Sequence, residues 1–141
     1  MRFRLSVLLG FLGAVLLLPH RLTAGAEEWN PQAFTKEETL EIRTAGTEEG
    51  EYWFPVWLVV IDEQVYVRLG SRAAERVKGN TTAPYLGIKI AGQQFDRVKG
   101  EEAPEMAEPV AKAMADKYWS DLFIRFFSHP LTLRLIPDEK K

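Results

Sequence analysis

The chain has 141 residues, 46% of them hydrophobic, with 18 basic and 20 acidic side chains and a formal net charge of −2. That balance offers no electrostatic footprint for nucleic acid. The absence of cysteine excludes a disulfide, a thiolate nucleophile, an iron–sulfur cluster and a cysteine-ligated zinc site.

Arg2 and Arg4 precede an apolar stretch, Leu5–Leu18, and the small residues Ala24-Gly25-Ala26 follow. This order predicts a secretory signal over residues 1–26, cleaved after Ala26, and export to the periplasm or the medium. The apolar stretch has 14 residues where a membrane-spanning helix needs about 20, so the cleaved chain is expected off the membrane. An uncleaved N-terminal anchor is the competing reading. Without Arg2, Arg4 and Arg21 the remaining 115 residues carry 15 basic and 20 acidic groups, a formal net of −5. Neither nucleic acid nor an anionic membrane surface is an expected partner of such a chain. His20 leaves with the signal, so His129 is the one histidine of the mature chain, and a multi-histidine metal site within it is excluded. A Ser-His-Asp triad would have to use His129, which precedes Pro130 with no residue nearby to mark a nucleophile.

Residues 27–39 are polar and acidic apart from Trp29 and Phe34, a lead-in with one short helix. Leu40, Ile42 and Thr44 alternate with Glu41 and Arg43, the period of a half-buried strand. After a turn at Gly46–Gly50 comes Tyr52–Ile61, rich in aromatic and β-branched residues and the strongest strand signal in the chain. Asp62-Glu63-Gln64 turns it back into Val65–Leu69 as a hairpin. Arg72–Lys78 suits a short helix that Gly79-Asn80 ends. Leu86, Ile88 and Ile90 alternate again, and Ala91-Gly92 turns the chain into a partner strand, Gln94–Val98. Met106, Val110 and Met114 fall four apart among alanines and make one apolar helix face. Pro109 is a poor interior residue, so that helix is expected to start near residue 108. Trp119–Phe127 reads as a second, aromatic helical segment. Leu131, Leu133 and Leu135 form a last strand closed by Pro137, and residues 138–141 are a charged tail.

Short strands joined by tight turns imply an antiparallel sheet. Tyr52–Ile61 is apolar on both faces: Trp53, Trp57, Val59 and Ile61 point one way, Tyr52, Phe54, Val56, Leu58 and Val60 the other. One face is expected to fill a barrel and the other to meet the C-terminal helices or a second subunit. The expected fold is therefore mainly β with flanking helices (α+β), a small antiparallel barrel of about six strands over residues 40–137. A bare outer face would make the domain a homodimer.

The stretches LEIRTAG, FPVWLVVIDEQVYVRLGS, IKIAGQQFDRV, MADKY and LTLRLIP, in that order, resemble the FMN-binding split barrel. That superfamily includes pyridoxamine-phosphate-oxidase-like proteins and deazaflavin-dependent nitroreductases. The chain looks most like a group of small uncharacterised bacterial proteins within it. The resemblance reaches from about Leu40 to Pro137. It implies a split barrel with a FMN or deazaflavin cofactor in a dimer groove. The cofactor phosphate would be held at the positions of Arg68, Ser71, Arg72 and Lys78. Residue chemistry agrees: residues 68–78 hold four basic side chains against one acid, and guanidinium groups bind phosphate bidentately. Backbone N–H groups at the start of that helix can face a phosphate too. No catalytic side chain and no metal is implied. Trp53 and Trp57 are candidates for stacking on a ring, with core or dimer packing as the ordinary alternative. Gly87 either admits a ring or relieves crowding.

Two functions follow, and the residues leave both open. One is a flavin- or deazaflavin-dependent oxidoreductase acting on a small molecule. The other is an exported binding or interaction module on the same barrel without a cofactor. The Arg-Phe-Arg start is not a twin-arginine pair, so the chain is expected to cross unfolded and meet any cofactor outside. ERVKGNTTAPY also departs from the fuller serine/lysine pattern of well-characterised flavin oxidases.

Overall fold

A computed structural model describes residues 28–118 and 129–138. The signal-like residues 1–26, the Trp119–Phe127 segment and the end of the tail lie outside the described residues. Every strand expected from alternation is present: β1 (Thr39–Gly46), β2 (Gly50–Ile61), β3 (Gln64–Leu69), β4 (Tyr85–Ile90), β5 (Gln93–Glu102) and β6 (Leu131–Pro137). They close into one antiparallel barrel in the order β1-β2-β3-β6-β5-β4. Helix α1 (Pro31–Phe34) precedes the barrel and α2 (Ser71–Lys78) joins β3 to β4. A 3-10 turn (Pro104–Met106) runs into α3 (Ala107–Lys117), which puts Pro109 in the first turn, where its missing N–H leaves no bond unmade.

Local chemistry sets the corners. The two-residue turns at Asp62-Glu63 and Ala91-Gly92 have φ of 49° and 63°, and of 52° and 74°. Paired left-handed residues match the twist of the strands they join. β5 outruns the alternation that marks it, because beyond Val98 its pairing with β6 from Val98↔Pro137 to Glu102↔Leu133 holds it extended. Asn80 is buried at the end of α2. Its Oδ1 accepts from the Ala45 N–H (3.0 Å) and its Nδ2 donates to the Tyr85 carbonyl (2.8 Å), which ties β1 to β4.

The two faces of β2 part as the sequence implies. Phe54, Val56, Leu58 and Val60 pack into the barrel core with Ile42, Val67, Ile88 and Leu133. Trp57, Val59 and Ile61 lie outside and pack with Tyr66, Val110 and Met114, so α3 covers this half of the strand. Among the described residues Tyr52, at 41%, is the one large apolar side chain left exposed. A bare apolar face therefore does not require a second subunit, since the helix supplies the cover.

Candidate functional site

β2 changes partners part-way along its length. Its first part pairs with β1 as far as Thr39↔Trp57, and its last with β3 as far as Leu58↔Val67. The β2–β3 register ends before the next positions in line, Trp57 and Arg68, which pair instead with Thr39 of β1 and Thr132 of β6. A cavity of about 390 Å³ opens there, lined by both residues and by Thr39, Pro55, Val56, Gly70, Ala73, Met114 and His129. Its volume falls within the range of about 300–1,000 Å³ typical of small-molecule sites. The walls are largely apolar, and Arg68 stands at the edge next to α2. Gly70 is the N-cap of α2 and has no side chain to cap it, so the first N–H groups of the helix keep their capacity for an anion.

The structure separates the residues that the sequence groups together. Arg68 is half-buried on the outer face of β3, the face of Tyr66, and lines the cavity. Ser71 and Arg72 are exposed in the first turn of α2, next to Gly70. Lys78 ends the same helix, about 10 Å further along its axis. It lines a different cavity of about 200 Å³, whose walls include Glu102, His129 and Thr132. Arg68 and Lys78 therefore line different cavities. Arg76 is engaged elsewhere: its guanidinium pairs with Glu49 (3.2 Å) and lies 4.2 Å above the Tyr52 ring.

The aromatic candidates divide as well. Trp57 stacks on Tyr118 with ring centroids 4.5 Å apart and planes 9° from parallel, and its remaining surface meets the cavity. Trp53 lies under Lys89 (3.9 Å) and Arg43 (5.5 Å) and does not line the cavity. Gly87 relieves crowding: a Cβ there would lie 2.8 Å from Nε of Arg43 and 2.9 Å from its Cβ.

Sequence reasoning missed a clamp beside the cavity. The Tyr118 hydroxyl donates to the carbonyls of Glu38 (2.6 Å) and Leu58 (2.7 Å). The Lys117 ammonium donates to Leu58 O (3.1 Å) and to Glu37 O. These contacts pin the end of α3 over the point where β2 changes partner. Burial pushes the Tyr118 hydroxyl pKa up to about 12, and burial lowers that of Lys117. No local motif marks this clamp, because its acceptors are main-chain carbonyls about 60 and 80 residues away in sequence. A second unforeseen cluster lies under the 3-10 turn. Arg134 donates to the Tyr66 hydroxyl (3.1 Å) and pairs with Glu101 (2.8 Å) and Glu105 (3.2 Å). The Tyr66 hydrogen bond, with the two carboxylates, raises its pKa above the ordinary arginine value. Among the described residues no cluster of three or more His, Asp or Glu is placed to hold a metal ion.

No family model and no curated protein matches the sequence. Solved structures match the fold. The haem-storage protein HutZ from Vibrio cholerae is 18% identical with a TM-score of 0.57, over 77% of this chain and 88% of that one. An F420-H2-dependent reductase, FDR-A, is 12% identical with a TM-score of 0.52, over 70% and 94%. A domain-swapped dimer is 12% identical with a TM-score of 0.54, over 71% and 80%. At these identities the likeness is one of fold, and the fold is the split barrel.

Proposed function

We propose that the chain is an exported split-barrel oxidoreductase that holds a flavin or deazaflavin cofactor between Trp57 and Arg68 and acts on a small molecule. One observation carries this reading: the apolar wall of Trp57, Val56, Ala73 and Met114 ends at a cation beside an uncapped helix start. A planar ring needs the wall, and a phosphate needs the cation and the N–H groups. A bound flavin or deazaflavin supplies hydride chemistry. The chain's own residues orient the ring, keep water from its apolar side and neutralise its phosphate. The fold neighbour named as an F420-H2-dependent reductase supports this reading, and the domain-swapped neighbour supports assembly as a homodimer. Export rests on the order of charged, apolar and small residues in positions 1–26.

A second reading, a haem-binding module without redox turnover, is favoured by His129. An imidazole can ligate haem iron, His129 lines the same cavity, and a fold neighbour is named for haem storage. An absorption spectrum of the protein purified from its own compartment separates the two. Flavin or deazaflavin bands support the oxidoreductase, and a Soret band supports the haem reading. A colourless protein that takes up neither cofactor from solution overturns both.

A further inference from the structure

The ladder that closes the barrel between β1 and β4 is short. Its register runs from Arg43↔Gly87 to Glu41↔Lys89, while β1 begins at Thr39 and β4 runs on to Ile90. Beyond the last pair lies a cavity of about 510 Å³, whose lining includes Leu40, Glu41, Pro55, Lys89, Ile90 and Gln93. Leu40, Pro55 and Ile90 give it apolar walls, and its volume falls among the roughly 300–1,000 Å³ of small-molecule sites. Its polar groups are unevenly engaged. The Lys89 ammonium lies 3.9 Å over the ring of Trp53, which is not part of the lining, so the lysine turns its stem to the cavity and its charge away. Glu41 is the direct partner of Lys89, yet its carboxylate makes no ion pair or hydrogen bond with the described residues. Oε1 of Gln93 is buried and, alone among the buried side-chain oxygens and nitrogens of the described residues, has no hydrogen-bond partner. A buried acceptor left without a donor destabilises the fold that holds it.

We infer that this cavity is a binding site for a small organic ammonium ion with an apolar body, held by the Glu41 carboxylate and the Gln93 amide oxygen. Both groups left to bind are acceptors and one is an anion, so the complementary ligand donates N–H bonds and carries positive charge. A neutral alcohol brings one donor and no charge. A carboxylate brings no donor and meets Glu41 as a like charge. The apolar body of the ligand fills the space between Leu40, Pro55 and Ile90. The terminal torsion of a glutamine is soft, so the Gln93 amide turns its oxygen towards a donor that enters from the cavity. Thr39 and Pro55 line both this cavity and the one at Trp57, but Glu41 and Gln93 line this one alone of the two, so ammonium binding here needs no cofactor at Trp57.

The test is a titration of the purified, isotope-labelled protein with benzylammonium, benzyl alcohol and benzoate, three probes that share one ring. Binding is followed by the NMR shifts of residues 89–94 and of the Gln93 side-chain amide. Benzylammonium should saturate these shifts, benzyl alcohol should bind at least about fivefold more weakly, and benzoate should not bind. Glu41→Gln, at an exposed carboxylate, should weaken benzylammonium about two- to fivefold and leave benzyl alcohol unmoved. Gln93→Leu should weaken benzylammonium about tenfold while its melting temperature holds or rises, because the acceptor without a partner has gone. If benzylammonium binds no better than benzyl alcohol, or keeps its affinity in Glu41→Gln and Gln93→Leu, the site is wrong. A lower melting temperature in Gln93→Leu would also overturn it, since the amide would then be a structural group.

Discussion

Replacing Gly87 with alanine tests the tightest approach on the outer face of the barrel. The added Cβ would lie 2.8 Å from Nε of Arg43 and 2.9 Å from both its Cβ and its Cζ. Gly87 and Arg43 are direct partners across β1 and β4, so the two strands cannot separate without loosening the ladder. Arg43 is also held from the other side, by the Asp96 carbonyl (3.1 Å) and over the Trp53 ring. Overpacking of this kind costs about 1–3 kcal/mol. Loss of the freedom of glycine in the unfolded chain offsets about 0.4–1 kcal/mol of that. The net is a destabilisation of about 1–2 kcal/mol, a fall of roughly 4–10 °C in melting temperature for a domain of this size. Thermal unfolding followed by circular dichroism measures it. In an Arg43→Ala background two of the three contacts disappear and the Cβ contact remains, so the loss should shrink without vanishing. An unchanged or raised melting temperature in Gly87→Ala would refute the account of this glycine. An equal loss in the Arg43→Ala background would show that the side chain is not what the new Cβ meets.

Two further outcomes are expected. Tyr118→Phe should lose about 1–2 kcal/mol at pH 7, since its hydroxyl donates to Leu58 and Glu38. The hydroxyl pKa is raised in the fold, so its contribution is full below pH 10 and fades as pH rises towards about 12. Denaturant unfolding should therefore show the gap between wild type and Tyr118→Phe closing over that window, and a gap that stays constant would contradict the clamp. Arg68→Gln should weaken cofactor binding about ten- to a hundredfold, whereas Arg72→Ala, at an exposed position, should weaken it only severalfold and leave the melting temperature almost unmoved. Calorimetric titration ranks the two, and a larger effect at Arg72 would move the phosphate to the outside of α2.

Much of the barrel was legible because its strands alternate. Leu40-Ile42, Leu86-Ile88-Ile90 and Leu131-Leu133-Leu135 each put one face into the core, and period two survives any tertiary context that keeps one face buried. The doubly apolar Tyr52–Ile61 was also legible, since a strand covered on both sides must be apolar on both. The cavity was not. It exists because β2 leaves β1 for β3 between Trp57 and Leu58, and no local pattern records a change of partner. Arg68 was proposed through the resemblance, with its charge in agreement, but Met114 and Thr39 join the cavity lining only through the closure of the barrel. Residues 68–78 looked like one basic cluster because sequence distance hides the length of a helix. The eight residues of α2 are enough to send Lys78 to another cavity. Gly87 left two meanings open in the sequence, and the position of Arg43 decides between them.

The central claim is that the seam between Trp57 and Arg68 holds a flavin-type cofactor, and a single titration addresses it. Purified protein is mixed with FMN and with F420 while tryptophan emission and cofactor absorbance are followed, beside the Arg68→Gln variant. The account predicts saturable binding of at least one cofactor with quenching of tryptophan emission, and clearly weaker binding once Arg68 is gone. Absence of binding by the wild type to either cofactor, or equal affinity in wild type and Arg68→Gln, would contradict it.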